Sequence, residues 1–473
     1  MSERREFLKL LGALGLGALG GVAADTLAAR LVEKSAQPTL PQYSVMVQPP
    51  DGNRPMVVSA DGEVIVDHEG RIVSDLGVYP IEGVNSLGEY TQTAGIQEAV
   101  AYLLNTGGGV AFIRRGDYYP SKIIHVGIIT RQAQVIIQGE GIATRIHLYN
   151  NTGSGMDWVF TVGTPGNSPT ADQAPPPVFK NFAFVNDLNE GPPVGPIVTG
   201  GYYHGGGAVG NGVILEDITV IDPPSLANKP GVPSAIGWIW FNNSYGIRVR
   251  GFTYLGANPN SKGINTRIIM SDGVTFTEID ESFFINTALG GTAMSSGTGT
   301  IQVTNTQILG FNVGVNYGDT DSRSKLIMTN VVMGTDRCCD QSYESSLIVS
   351  TPIYIRHGFM EALICCSRLG GVIELEDSVV GRIKISNSEV HPLTIEHVTV
   401  SGSQGNLVDL ILTIEGSRVM STSPSPLIDI LEENAANSSI SIRLINNEVG
   451  IGGGWPLAKV PNGVYFEMRG NYM

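Results

Sequence analysis

Short alternating strands recur down most of this chain, and none of them is large enough to bury its own apolar face. The series runs Val178-Phe179-Lys180-Asn181-Phe182, Ile214-Leu215-Glu216-Asp217-Ile218, Ile247-Arg248-Val249-Arg250-Gly251-Phe252 and Phe276-Thr277-Glu278-Ile279-Asp280. It continues as Ile301-Gln302-Val303-Thr304-Asn305, Leu326-Ile327-Met328-Thr329-Asn330 and Ile353-Tyr354-Ile355-Arg356-His357. Positions 181, 217, 251, 280, 305, 330 and 357 are 36, 34, 29, 25, 25 and 27 residues apart. Asn387 and His397 are only 10 apart, which points to several strands within one coil. Such units gain a core only by stacking on one another. Short β-branched strands at this spacing predict an all-β parallel β-helix, with a sandwich as the alternative.

The composition agrees with a compact, turn-rich chain. Of 473 residues 60 are glycine, 42% are hydrophobic and 15% are charged, too apolar a balance for disorder. The formal charge of −15 argues against nucleic acid, whose phosphates need Lys and Arg. It also counts against a polyanionic substrate unless a metal or a local basic groove intervenes.

The segment before the repeats is more specific. Gly95-Ile96-Gln97-Glu98-Ala99-Val100-Ala101-Tyr102-Leu103-Leu104 has helical apolar periodicity. After it come Gly107-Gly108-Gly109-Val110-Ala111-Phe112-Ile113, Gly116-Asp117-Tyr118-Tyr119 and Ile123-Ile124-His125-Val126. Then follow Val135-Ile136-Ile137-Gln138-Gly139-Glu140-Gly141 and Thr144-Arg145-Ile146. This order resembles the start of the pectate-lyase-like family of right-handed parallel β-helices, in the branch that includes phage tailspikes and exported polysaccharide enzymes. The resemblance is close over 90–147 and general over 179–473. It implies a right-handed solenoid with an N-terminal capping helix, which would cover open core and unpaired strand edges. It also implies polysaccharide as the partner.

The N-terminus carries Arg4-Arg5-Glu6-Phe7-Leu8-Lys9 and then an apolar stretch, Leu10 to Ala24. A basic n-region before an apolar h-region reads as an export signal. The paired arginines resemble a twin-arginine signal, with Glu3 where Ser or Thr is commoner. The stretch is short of the roughly 20 residues needed to span a bilayer. The expected organisation is a signal over 1–29, a linker and short β extension over 30–84, and the β-helix over 85–473. In the extension, Val57–Val66 and Asp67–Val73 read as strands joined by Asp-Gly and Glu-Gly turns. Localisation is expected to be extracellular or at the cell surface, with membrane contact only through an uncleaved signal.

The cysteines form two vicinal pairs, Cys338-Cys339 and Cys365-Cys366, offset by 27 residues. If 27 residues make one coil, the roughly 4.8 Å between stacked strands allows inter-coil disulfides. Free thiols and a four-cysteine metal site are the alternatives, the latter lacking the usual C-x₂-C spacing.

Three groups of residues are candidates for chemistry. The polygalacturonase branch of the resembled fold uses Asn-Thr-Asp, Asp-Asp, Gly-His-Gly and Arg-Ile-Lys in that order. Here Asp319-Thr320-Asp321, Asp340, His357-Gly358 and Arg382-Ile383-Lys384 follow the same order about one coil apart. The resemblance implies that one carboxylate protonates the glycosidic oxygen while another activates water about 6.5–9.5 Å away. Arg382 and Lys384 would hold a substrate carboxylate. Solvated strand faces and turns are the plain alternative.

A second group is Glu216, Asp217, Arg248, Arg250, Glu278, Asp280 and Glu281. It would bind Ca²⁺ if the protein were a lyase, or form ion pairs on an outward face. No other cofactor is expected. The third group is aromatic: Trp238 and Trp240 on one strand face, with Tyr202 and Tyr203 in a Gly-rich loop. Their rings suit sugar stacking, or else fill the core.

The reading is therefore an exported β-helix protein that binds or cleaves extracellular polysaccharide, with glycoside hydrolysis as the leading chemistry. The alternative is a non-catalytic adhesin or structural rod, with a homo-oligomer, such as a trimer, as its assembly.

Overall fold

A computed structural model covers the strands Ser44–Gln48, Met56–Ser59 and Ile65–Val66 and, from Thr93 to Tyr472, most of the chain. The longest segments left undescribed after Thr93 are 149–157, 164–174, 187–194, 200–211, 223–236, 257–266, 335–352 and 397–408. The signal-like segment 1–29 lies outside the described residues.

One coil shows the plan of all. It is made of Arg267–Asp272, Phe276–Asp280 and Phe283–Asn286. The next repeats it with Thr292–Ser296, Thr300–Thr304 and Gln307–Leu309. Equivalent strands pair in parallel, Arg267 against Thr292, Phe276 against Thr300 and Phe283 against Gln307. Among the described residues, strands of the first kind build a sheet of 12, and the other two kinds, with the three strands of the N-terminal extension, share a sheet of 26. The architecture is a right-handed parallel β-helix. The right hand is what parallel strand–connection–strand units adopt almost without exception.

Alternation with period two decides which side chains form the core. Val249, Ile279, Val303, Met328, Ile364, Ile385, Ile414 and Leu444 stack in register as one buried column. Their neighbours along each strand, such as Arg248, Arg250, Arg382 and Lys384, face solvent. The early coils fill their interior with rings: Phe160 lies 5.1 Å from Phe179, and Phe252 lies 5.3 Å from Phe284, centroid to centroid.

The corner between the two strands of the larger sheet is the most regular feature. From the coil of Val178–Asn186 onward, one residue there takes a left-handed conformation: Asn181, Asp217, Gly251, Glu281, Asn305, Asn330, Cys366, Asn387, Gly416, Asn446 and Gly470. Asn and Gly tolerate this region best. Positions 181, 217, 251, 305 and 330 of the sequence repeat are these corners, and 280 is one residue short of one. His357 lies outside the described residues, and the corner that follows Asn330 is Cys366, 36 residues on.

The helix α1 (Ile96–Thr106) buries Ile96, Ala99, Val100, Leu103 and Leu104, the 3.6-residue stripe expected of a cap. Gln97 fastens it to the first coil. Its Oε1 accepts the N–H of His125 at 2.6 Å and its Nε2 donates to the His125 carbonyl at 3.2 Å. Upstream, Ser44–Gln48 pairs antiparallel with both Met56–Ser59 and Gly108–Ile113. Ile65–Val66 then pairs with Met56–Ser59. The short extension thus covers the edge of the first coil rather than leaving it open.

Candidate functional site

The outward face of the larger sheet is a ladder of ion pairs. Lys180 meets Glu216 at 2.7 Å, Arg248 meets Glu278 at 3.7 Å and Arg250 meets Glu281 at 3.0 Å. Asp280 accepts hydrogen bonds from Thr304 Oγ1 at 2.7 Å and Asn305 Nδ2 at 3.0 Å. The hydrogen bond and charge of Glu281 hold Arg250 above its already high ordinary pKa. Of the carboxylates considered for calcium, Glu216, Glu278, Asp280 and Glu281 therefore face cations or side-chain donors. Among the described residues, no three His, Cys, Asp or Glu side chains gather as a metal site.

Arg382 and Lys384 lie two apart on Gly381–Ser386, both exposed, with Ile383 and Ile385 buried between and beyond them. They therefore share an outward face, as alternation requires. Lys384 Nζ is 3.1 Å from Glu415 Oε2 one coil further on. Arg382 stands between Glu361 and Ile411 in register. Asp319, Asp321, Asp340 and His357 lie outside the described residues, as do Tyr202 and Tyr203. Trp238 and Trp240 occupy alternate positions of the strand Gly237–Asn242, on which Ile239 and Phe241 are buried; the side chains of both tryptophans lie outside those described.

One constellation has no motif in the sequence. Asp117, on Gly116–Tyr118, receives Arg145 Nη2 at 2.8 Å on one oxygen and faces His147 Nε2 at 2.8 Å on the other. Arg145 Nε is a further 2.6 Å ion-pair contact, without hydrogen-bond alignment. Arg145 is the register partner of Asp117, and His147 follows it by two residues on the same strand. The side chain of His147 is 9% exposed. The carboxylate thus orients a cation and an imidazole together. The available signal was that Arg145 and His147 alternate on one strand, one coil after an acidic residue.

The cysteine expectation changes. Cys365 is aligned with Thr329 on one side and Ser386 on the other, so 36 residues, not 27, make the coil that ends there. The common offset of the two pairs is not a coil length. Cys365 and Cys366 are free thiols, and their sulfurs lie 2.8 Å from each other. Cys338 and Cys339 lie outside the described residues.

No family model matches this chain. No curated protein matches it either. Solved structures do. The catalytic unit of the GH87 α-1,3-glucanase of Streptomyces thermodiastaticus is 13% identical, with 92% of this chain and 85% of that one covered and a TM-score of 0.45. PfbA, a surface adhesin of Streptococcus pneumoniae, is 12% identical, with coverages of 81% and 88% and a TM-score of 0.43. The A-module of the mannuronan C-5 epimerase AlgE6 of Azotobacter vinelandii is 12% identical, with coverages of 80% and 94% and a TM-score of 0.34.

Proposed function

We propose that this chain is an exported protein of the pectate-lyase-like superfamily that binds or cleaves extracellular polysaccharide along its outward face, by glycoside hydrolysis. The observation that supports this is the outward row at Arg382 and Lys384. A rigid sheet repeats polar side chains there at a strand spacing of about 4.8 Å, on the scale of a sugar ring. Arg382 is exposed on that row, beside Glu361 in register. Asp319, Asp321, Asp340 and His357 are the proposed acid–base groups, one protonating the leaving oxygen and one activating water. Trp238 and Trp240, with Tyr202 and Tyr203, are the proposed stacking platforms. Because the cations and carboxylates of this face largely neutralise one another, a neutral glycan suits it better than a polyanion. Calcium enters only in a lyase version of the reading.

A second reading, a non-catalytic surface adhesin or spacer, draws on the pairing of Lys384 with Glu415, which occupies the residue meant to grip substrate. The two part in one assay. The protein is incubated with a polysaccharide panel, with and without Ca²⁺, and both reducing and unsaturated ends are measured. New reducing ends that vanish in Asp340→Asn establish hydrolysis. Unsaturated ends dependent on Ca²⁺ move the chemistry to Glu216–Glu281. Retention on a glycan with no turnover leaves the adhesin.

A further inference from the structure

The geometry points to Cys365 and Cys366 as a vicinal dithiol site that closes into a disulfide within one coil, rather than bridging to Cys338 and Cys339. On a continuous strand these neighbours would point to opposite faces. They do not, because Cys366 sits at the corner with φ 55°. That turn brings the two sulfurs to 2.8 Å on the solvent side, with Cys366 exposed and Cys365 half-buried. Reaching an S–S bond of roughly 2.05 Å takes less than an ångström of approach. Both flanking coils place Asn at the corner, Asn330 and Asn387, where the left-handed backbone is better tolerated. Cysteine there forgoes that advantage and gains a second thiol within reach of the first.

The chemistry balances with a disulfide as oxidant, such as oxidised glutathione or an export-compartment thiol–disulfide oxidase. One cysteine thiolate attacks the oxidant's disulfide and releases one thiol. The second cysteine then attacks the mixed disulfide and releases the other. Two protein S–H bonds are lost, one S–S bond forms, and the oxidant leaves as two thiols. The hydrogen bond between the two sulfurs favours the neutral thiol of Cys366 and raises its pKa from the ordinary cysteine value, so closure quickens as pH rises. The proposal stands apart from the polysaccharide reading.

Trypsin separates the alternatives. Cleavage after Arg337, Arg356 and Arg368 leaves Cys338 and Cys339 in peptide 338–356 and Cys365 and Cys366 in 357–368. The folded protein is equilibrated with oxidised glutathione, alkylated, digested without reductant and weighed. The expected result is peptide 357–368 lighter by two hydrogens, unalkylated and unlinked. Covalent joining of the two peptides would overturn the proposal, as would full alkylation of 357–368. Cys366→Asn, which installs the corner residue of both neighbours, is expected to fold and to leave Cys365 singly alkylated. Closure of 357–368 at an unchanged rate in the double variant Cys338→Ser/Cys339→Ser is the matching positive result, and its loss there would count against the site.

Discussion

The hydroxyl of Ser417 accepts the backbone N–H of Ser388 at 3.2 Å while donating to the carbonyl of Glu415 at 3.0 Å. This contact is one step of a buried ladder just inside the corner. Val331 N–H donates to Ser367 Oγ, Ser367 N–H to Ser388 Oγ, Ser417 N–H to Asn447 Oδ1, and Asn447 N–H to Asn471 Oδ1. Earlier coils put Phe182, Ile218 and Phe252 at the same position. The solenoid therefore passes from an apolar to a hydrogen-bonded interior column toward its C-terminal coils. Each hydroxyl or amide satisfies a backbone group that would otherwise be buried without a partner.

Ser417→Ala removes the acceptor of Ser388 N–H and is expected to cost about 1–3 kcal/mol, the penalty of a buried unsatisfied donor. Asn447→Ala should cost more, because its Nδ2 also serves the Ile414 carbonyl and Asn471 Oδ1. Urea unfolding midpoints check both. Equal and negligible losses would mean that the ladder contributes nothing.

Gly310 and Gly416 separate space from conformation. Both have positive φ, 77° and 58°. A Cβ at Gly310 would fall on the Asn286 carbonyl oxygen, whereas at Gly416 it meets only the Asn387 side chain at 3.0 Å. Gly310→Ala is expected to prevent folding or lower the melting temperature severely. Gly416→Asn should be tolerated, since Asn already serves neighbouring corners. Thermal melts of the two variants decide it.

At Cys366 the same logic predicts opposite signs for two substitutions. Cys366→Asn should raise the melting temperature of the reduced protein, extending the corner residues Asn330 and Asn387. Cys366→Val, β-branched at positive φ, should lower it. Differential scanning calorimetry under reductant reads both.

The fold was legible because strand alternation and corner residues leave a direct trace in sequence. Asn181, Asp217, Gly251, Asn305 and Asn330 mark real corners. The stripe from Ile96 to Leu104 is a real cap. The sequence period fails where a coil is longer. Spacing alone points to His357, 27 residues after Asn330, whereas the next corner is Cys366, 36 residues on, and the partner of Cys365 is Thr329. Residue spacing cannot distinguish a loop excursion from a turn of the solenoid. The site was less legible still. Asp117, Arg145 and His147 meet through parallel register across coils, and no local motif announces such a meeting.

The Lys384–Glu415 pair is exposed at both ends, with side-chain accessibilities of 46% and 44%. Lys384→Met should therefore change stability by less than about 1 kcal/mol. If the row binds sugar, the same variant should weaken glycan retention while leaving the urea midpoint in place. A large loss of stability with unchanged retention would assign the pair to structure alone.

Affinity electrophoresis of the native protein through gels containing single polysaccharides tests the central claim most directly, with Arg382→Ala and Trp240→Ala run beside it. The account predicts that at least one glycan retards the native protein and that both variants, folded by their melts, run faster in that gel. A native protein that no glycan retards, or a retardation that neither variant changes, would contradict a polysaccharide site at Arg382, on the larger sheet, or at Trp240, on the smaller one.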